Sequence, residues 1–387
     1  MFDLGLIWQS FHQRKVVWLI AIFFSLILFN TTFMSLGTIV PLGVAGLLLW
    51  ISMTSEELAV NRYKLAMLIF AIIIAIATFF SGGEIDRAYL KILLMVLVYV
   101  FVTSLPYTDR EVSFLSLAIC ISYCVYALLV VDSIGATDVV YHGRAELRIL
   151  NSEIALDPNV VAGCFVLPSI MSLYNLLYGS RKILATVLLL LLFIAIVATG
   201  SRGAFVGLAF SAASLLVPFV FQRDLNGSSK FVIVLLIGIG LYYAVTFLNS
   251  QDSIMGFDRL FEDDGDATGN GRTVIWADRF NLFWESPLLG YGVNLDMGHF
   301  RGWACHNTFV QIMYFSGGVG IFCFFYPIYK MYRRDGFASW LKVALFASVF
   351  VPLFFIDTLQ ERPLWNFLIF YEMLSLSDDP MEALLWK

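Results

Sequence analysis

Apolar stretches about long enough to cross a bilayer as helices recur along the whole of this 387-residue chain. Nothing constrains its fold more. In hydrocarbon every backbone N–H and C=O must find its partner within the protein, which leaves only helices and closed barrels. The runs are continuously apolar rather than alternating, so they read as helices. Twelve spans are expected, at roughly 16–31, 33–53, 64–80, 88–105, 111–131, 158–178, 182–199, 203–221, 230–249, 306–329, 338–357 and 363–377. The last is short and carries Glu372; as a half-helix it would put the C-terminus on the other side. The expected fold class is an all-α integral membrane protein of eleven or twelve transmembrane helices. A hydrophobic content of 60% excludes a soluble domain, and a net charge of −5 argues against nucleic acid as a partner.

Charge placement orients the bundle. With the N-terminus inside, fourteen basic residues fall on the inner side, seven of them lysine, and their clusters flank the spans. The outer side holds nine arginines and one lysine, four of the arginines in one large loop, about 250–305. The difference in type matters more than the difference in number. Arginine presents a planar fork that binds phosphate oxygens bidentately and stays charged in any surroundings. A wall of arginine at a membrane face therefore suggests a site for a phosphate-bearing lipid. The first apolar run follows Arg14 and Lys15 without a small-residue cleavage site and reads as a signal anchor. Two regions are expected: 1–157, with the first outer loop, and 158–387, with the large one. The cysteines form no C-x-x-C pattern and the outer loops hold no His and Asp cluster, so neither a metal nor a cofactor is expected.

The large loop carries a helix pattern at about 271–285, with Asn270 at its start and Pro287 beyond its end. Arg272 and Arg279 are seven apart and share one face, with Trp276 and Phe283 on or near it. Two guanidiniums beside flat rings suit a diphosphate joined to a sugar. An interfacial helix with its arginines on lipid headgroups fits the same pattern. Next comes Pro287-Leu288-Leu289-Gly290-Tyr291-Gly292, a tight turn with close backbone approach. His306, where the loop enters a span, is a candidate general base, or a hydrogen-bond donor to sugar or phosphate; a helix-capping role is the bland alternative. Asp296, Glu285 and Asp278 are weaker candidates for the base. Arg202, between two apolar runs, needs a ligand or an ion-pair partner such as Asp157 or Asp357. Asp157 with Pro158 reads as a helix cap, and Arg144, Arg148 and Arg301 are further candidate phosphate contacts or solvated loop charges.

The ordered set resembles the O-antigen ligase and polymerase superfamily of bacterial inner membranes. The matching elements are Thr199-Gly200-Ser201-Arg202-Gly203-Ala204, Gly271-Arg272 through Trp276, Pro287 through Gly292, His306-Asn307, and Gly317 with Gly320. Arg279 and Gly290 also fit an arginine–ten residues–glycine spacing described for polymerases of this type. The resemblance implies a GT-C-like membrane glycosyltransferase, metal-independent and inverting. Its donor would be an undecaprenyl-diphosphate-linked glycan at the outer face of the inner membrane. Its acceptor would be a second lipid-linked repeat unit for a polymerase, or lipid A–core for a ligase. Arg272 and His306 would be catalytic. Arg202, Arg279, Arg301, Arg144, Arg148, Trp276 and Asn307 would bind the substrate. Membrane lipids and a chain-length regulator would be partners. Polymerase is the first expectation, ligase the second, and a lipid-linked glycan transporter the third; a transporter would need charges deep in several spans, which are nearly free of them.

Overall fold

The computed structural model describes residues 4–26, 36–136, 140–141, 144–145, 147, 156–222 and 272–386. The described chain is helical apart from a hairpin of two-residue strands, β1 (Val140–Tyr141) and β2 (Arg144–Ala145). Six described helices are long and apolar enough to cross a membrane, and three shorter ones are apolar. A helix lies at or overlaps each expected span except 230–249, which falls outside the described residues. The chain divides into two compact units, neither of them one continuous stretch.

The first unit comprises 1–122, 270–337 and 356–387. Its helices are α1 (Leu4–Ser25), α2 (Leu36–Met53), α3 (Leu65–Phe80), α4 (Arg87–Val102) and the first half of α5 (Asp109–Ala136). The second unit, 123–269 and 338–355, holds the rest of α5, then α6 (Pro158–Tyr178), α7 (Lys182–Thr199), α8 (Arg202–Gln222) and, after the return to it, α11 (Ser339–Phe350). The first unit is completed by α9 (Arg272–Glu285), α10 (Thr308–Tyr332), α12 (Arg362–Leu376) and α13 (Pro380–Ala383). In the second unit Asp157 caps α6 as expected, its carboxylate accepting from Asn159 N at 2.8 Å with Pro158 at the first position. There, too, glycine at 203 lets α8 approach Phe355, whose ring would lie 2.6 Å from a Cβ.

In the first unit α10 is broken at Gly317, where φ is 58° and ψ −165°, a conformation open only to glycine. A broken helix frees backbone groups that must be satisfied. Here the turn expected at 287–292 satisfies them. Tyr291 N donates to Tyr314 O at 2.8 Å and Gly292 N to Phe315 O at 2.9 Å, while Gly318 N donates to Pro287 O at 2.7 Å. Gly290, at φ 70°, has room for no side chain, since a Cβ would lie 2.4 Å from Tyr314 O. The same turn is fixed to the end of α3. Val293 N donates to Thr78 Oγ1 at 3.0 Å, and Ser81 Oγ donates to Tyr291 O at 2.9 Å.

The stretch 356–376, which ends in α12, is tied to the α10 region at two places. At one end Thr308 Oγ1 donates to Ile356 O at 2.7 Å, six residues before α12 begins. At the other, Arg334 Nη2 lies 2.9 Å from Glu372 Oε1. Glu372 is fully buried with Lys64, 3.2 Å from its Nζ, and accepts from Tyr63 OH. Lys64 Nζ also donates to Thr103 O at 2.6 Å, so one carboxylate and two cations tie together the ends of α3, α4, α10 and α12. Glu372→Ala leaves both cations without their counter-charge and should destabilise the first unit by about 3–5 kcal/mol. The check is the thermal unfolding midpoint of purified protein in detergent; an unchanged midpoint would exclude the clamp.

Candidate functional site

α9 buries Ile275, Asp278, Arg279 and Leu282, the i, i+3, i+4, i+7 stripe of a helix packed on one side. Arg279 is 0% exposed. Its guanidinium donates from Nη1 to Met297 O at 2.8 Å, and from Nη2 to Phe300 O at 2.8 Å and Trp303 O at 3.1 Å. It stands over the Tyr314 ring, 4.5 Å from the centroid. Asp278, beside it at 3.9 Å, accepts from His299 N at 3.2 Å. The chain from 297 to 303 is thus wrapped around one arginine. The stacked pair of guanidiniums expected from the seven-residue spacing is divided: Arg279 is enclosed by carbonyls, while Arg272 remains half-buried with no partner among the described residues.

Trp276 positions the far end of the loop. Its Nε1 donates to Cys305 O at 2.8 Å. The indole and Phe283 pack on Cys305, Val310 and Met313. Burial, helped by the nearby Asp357 carboxylate, pushes the Cys305 thiol up to about 12, so it stays protonated and is no nucleophile. Arg272 lies four residues before Trp276 on the same side of α9, and His306 comes directly after Cys305. One indole hydrogen bond therefore brings Arg272 and His306 to the same end of the unit.

His306 is the only described non-glycine residue with positive φ, at 50°. Such a backbone is costly for a side chain and persists only when its surroundings fix it. Asp357 does so, accepting from His306 N at 2.7 Å and from Asn307 N at 3.1 Å. Asn307 Oδ1 caps α10 through Phe309 N at 2.9 Å and Val310 N at 3.1 Å, which leaves the capping role to Asn307 and not to His306. The imidazole is half-buried and has no hydrogen-bond partner among the described residues. Sequence reasoning named Asp357 only as a partner for Arg202. Its place beneath His306 depends on a fold contact across about fifty residues that no local pattern announces.

Arg301 is exposed on the loop that Arg279 holds, as are Asp296 and His299. Glu285 accepts from Tyr291 OH at 3.2 Å. Arg202 opens α8 in the second unit and Arg144 lies on β2 there; their side chains, like Arg148 and His142, lie outside the described residues.

Residues 187–325 match the sequence model of the O-antigen ligase family, which supports the resemblance to the O-antigen ligase and polymerase superfamily. No curated protein matches the chain. The matched stretch contains α9, the clasped loop, His306 and the break at Gly317.

The two α9 arginines should separate in a stability assay. Arg279→Met deprives three buried carbonyls of their donor and should cost about 3 kcal/mol, with faster limited proteolysis within 297–303. Arg272→Met, at a half-exposed and unpaired position, should stay within about 0.5 kcal/mol of the parent. Equal losses for the two would contradict the division.

Proposed function

We propose that this chain is a membrane glycosyltransferase that polymerises undecaprenyl-diphosphate-linked repeat units into a surface polysaccharide at the outer face of the bacterial cytoplasmic membrane. The observation that carries the reading is the juxtaposition of an uncommitted guanidinium, Arg272, with an uncommitted imidazole, His306, through the Trp276–Cys305 bond, in a stretch matching the O-antigen ligase family. In the reaction, an acceptor sugar hydroxyl attacks the anomeric carbon of the donor glycan. The bond from that carbon to the diphosphate oxygen breaks, and the anomeric centre inverts. The hydroxyl proton passes to the His306 imidazole. The growing negative charge on the departing lipid diphosphate is met by Arg272 and Arg301, whose charges are fixed before the reaction begins. Trp276 and Arg279 hold the loop, and Asn307 holds the helix start on which His306 stands.

The arginine–ten residues–glycine spacing supports the polymerase form. Arg279 clasps the loop, and Gly290 seats it in the broken helix. The description of the matched family supports a second form, a ligase that moves finished polymer to lipid A–core.

A strain lacking this gene separates the two forms by its lipopolysaccharide and lipid-linked intermediates. Core capped with a single repeat identifies the polymerase. Bare core, with full-length polymer accumulating on undecaprenyl diphosphate, identifies the ligase. In membranes of the complemented strain, Arg272→Ala should lower kcat by about 10²–10³-fold. His306→Ala should lower it by about 10²-fold or more if the imidazole takes the proton. Normal polymer from a correctly inserted Arg272→Ala protein would overturn the site.

A further inference from the structure

The exposed apolar surface of the first unit does not stop where its spanning helices stop. α3 presents Ile69, Ile72, Ile76 and then Phe79 and Phe80 in one stripe, the lipid-facing side of a span, and the last two are each 76% exposed. α10 presents Val319 and Phe322 in the same way. The turn after α9 is bonded to both stripes. Leu288 O accepts from Val319 N at 3.2 Å, so Leu288 stands at the level of the α10 stripe, and its side chain is 66% exposed. The bonds from 291 and 293 to Ser81 and Thr78 set the turn beside Phe79 and Phe80. Toward the N-terminus of α9 the exposed face goes on through Trp284, 72% exposed, and Phe280. These residues are four apart, and water is a poor neighbour for all of them.

We propose that Phe280, Trp284 and Leu288 insert into the interface of the bilayer leaflet on this side, so that α9 is an interfacial helix mooring the arginine-bearing loop to the membrane. Continuity with the lipid-facing stripes of α3 and α10 selects lipid as the occupant, since the level of Leu288 is set by a backbone bond to a residue inside a span. The side chains also suit that depth. Tryptophan and phenylalanine favour the headgroup boundary, and the arginines of the same loop favour anionic headgroups. The assignment concerns lipid contact and does not depend on the enzymatic reading.

Trp284→Cys, Leu288→Cys and Asn281→Cys proteins, labelled with the environment-sensitive dye NBD and reconstituted in phosphatidylglycerol–phosphatidylethanolamine nanodiscs, test it. The five native cysteines are buried, so the label goes to the introduced thiol. Dyes at 284 and 288 should emit at shorter wavelength than the dye at 281, and lipids carrying a doxyl group near the headgroup should quench them several-fold more. Water-like emission and no lipid quenching at 284 and 288 would overturn the proposal. Blue-shifted emission that doxyl lipids leave untouched would also overturn it, because the face would then be covered by protein or glycan. Leu288→Cys, outside any helix, keeps the test valid if Trp284→Cys misfolds.

Discussion

One broken helix fixes the position of everything outside the spans in the first unit. At Gly317 α10 abandons helical geometry, and its carbonyls at 314 and 315 and amides at 318 and 319 are turned toward the 287–292 turn. Within a membrane protein such groups cannot be left to solvent; irregular backbone persists there only where protein or a wet cavity satisfies it. The requirement works in both directions. The break needs the turn for its hydrogen bonds, and the turn needs the break for room, because a Cβ at Gly317 would lie 2.5 Å from the Leu288 carbonyl. The large loop is therefore held to the bundle by backbone bonds, a stiffer attachment than side-chain contact alone.

The rest of the loop is ordered from that anchor outward. Tyr314, whose carbonyl takes the Tyr291 amide, also lays its ring beneath the Arg279 guanidinium and donates its hydroxyl to Asn294 O. One residue thus joins the helix break to the clasp around Arg279. A lysine there would offer its three donors from one nitrogen on a flexible stem; the planar fork of arginine offers donors from separate nitrogens in several fixed directions. Two further bonds, from Trp276 to Cys305 O and from His306 N to Asp357, carry the ordering to the residues where the loop meets α10. The candidate chemical groups are left as free ends on a fixed frame, which is the arrangement preorganised electrostatics requires.

The described apolar helices were legible because their signal is local: a run of apolar residues is the same run in the sequence and in the fold. The glycines at 290 and 292 announced close backbone approach, but their partner, the broken helix, begins some twenty residues later, and nothing in a glycine says what it will meet. The spacing of Arg272 and Arg279 put both on one face. Which of them the chain would cover depended on where 297–303 folded back, and that is a tertiary event. Asp357 was legible as a charge near the end of a span, but its bonds to the His306 and Asn307 amides were not, because an acceptor for backbone amides leaves no motif. Glu372 read as a reason to doubt a span. Its two cations, Lys64 and Arg334, come from distant segments and turn the same residue into the tie that holds α12 beside the ends of α3 and α10.

The two arginines of α9 show how identity and role separate on a single element. A guanidinium surrounded by carbonyls has its electrostatic potential largely met by protein dipoles, so it gains little from a passing phosphate. One without partners keeps its charge for a ligand. Arg272 and Arg301 are of the second kind and Arg279 is of the first. The separation also bears on how such a loop tolerates change. Residues of the first kind are fixed by the frame whatever the sugar, since their partners are backbone. Residues of the second kind have no such partner among the described residues, so their replacement costs little in folding. Aromatic residues divide in the same way: Trp276 is tied through its indole nitrogen to the frame, whereas Trp284, two turns on, is 72% exposed.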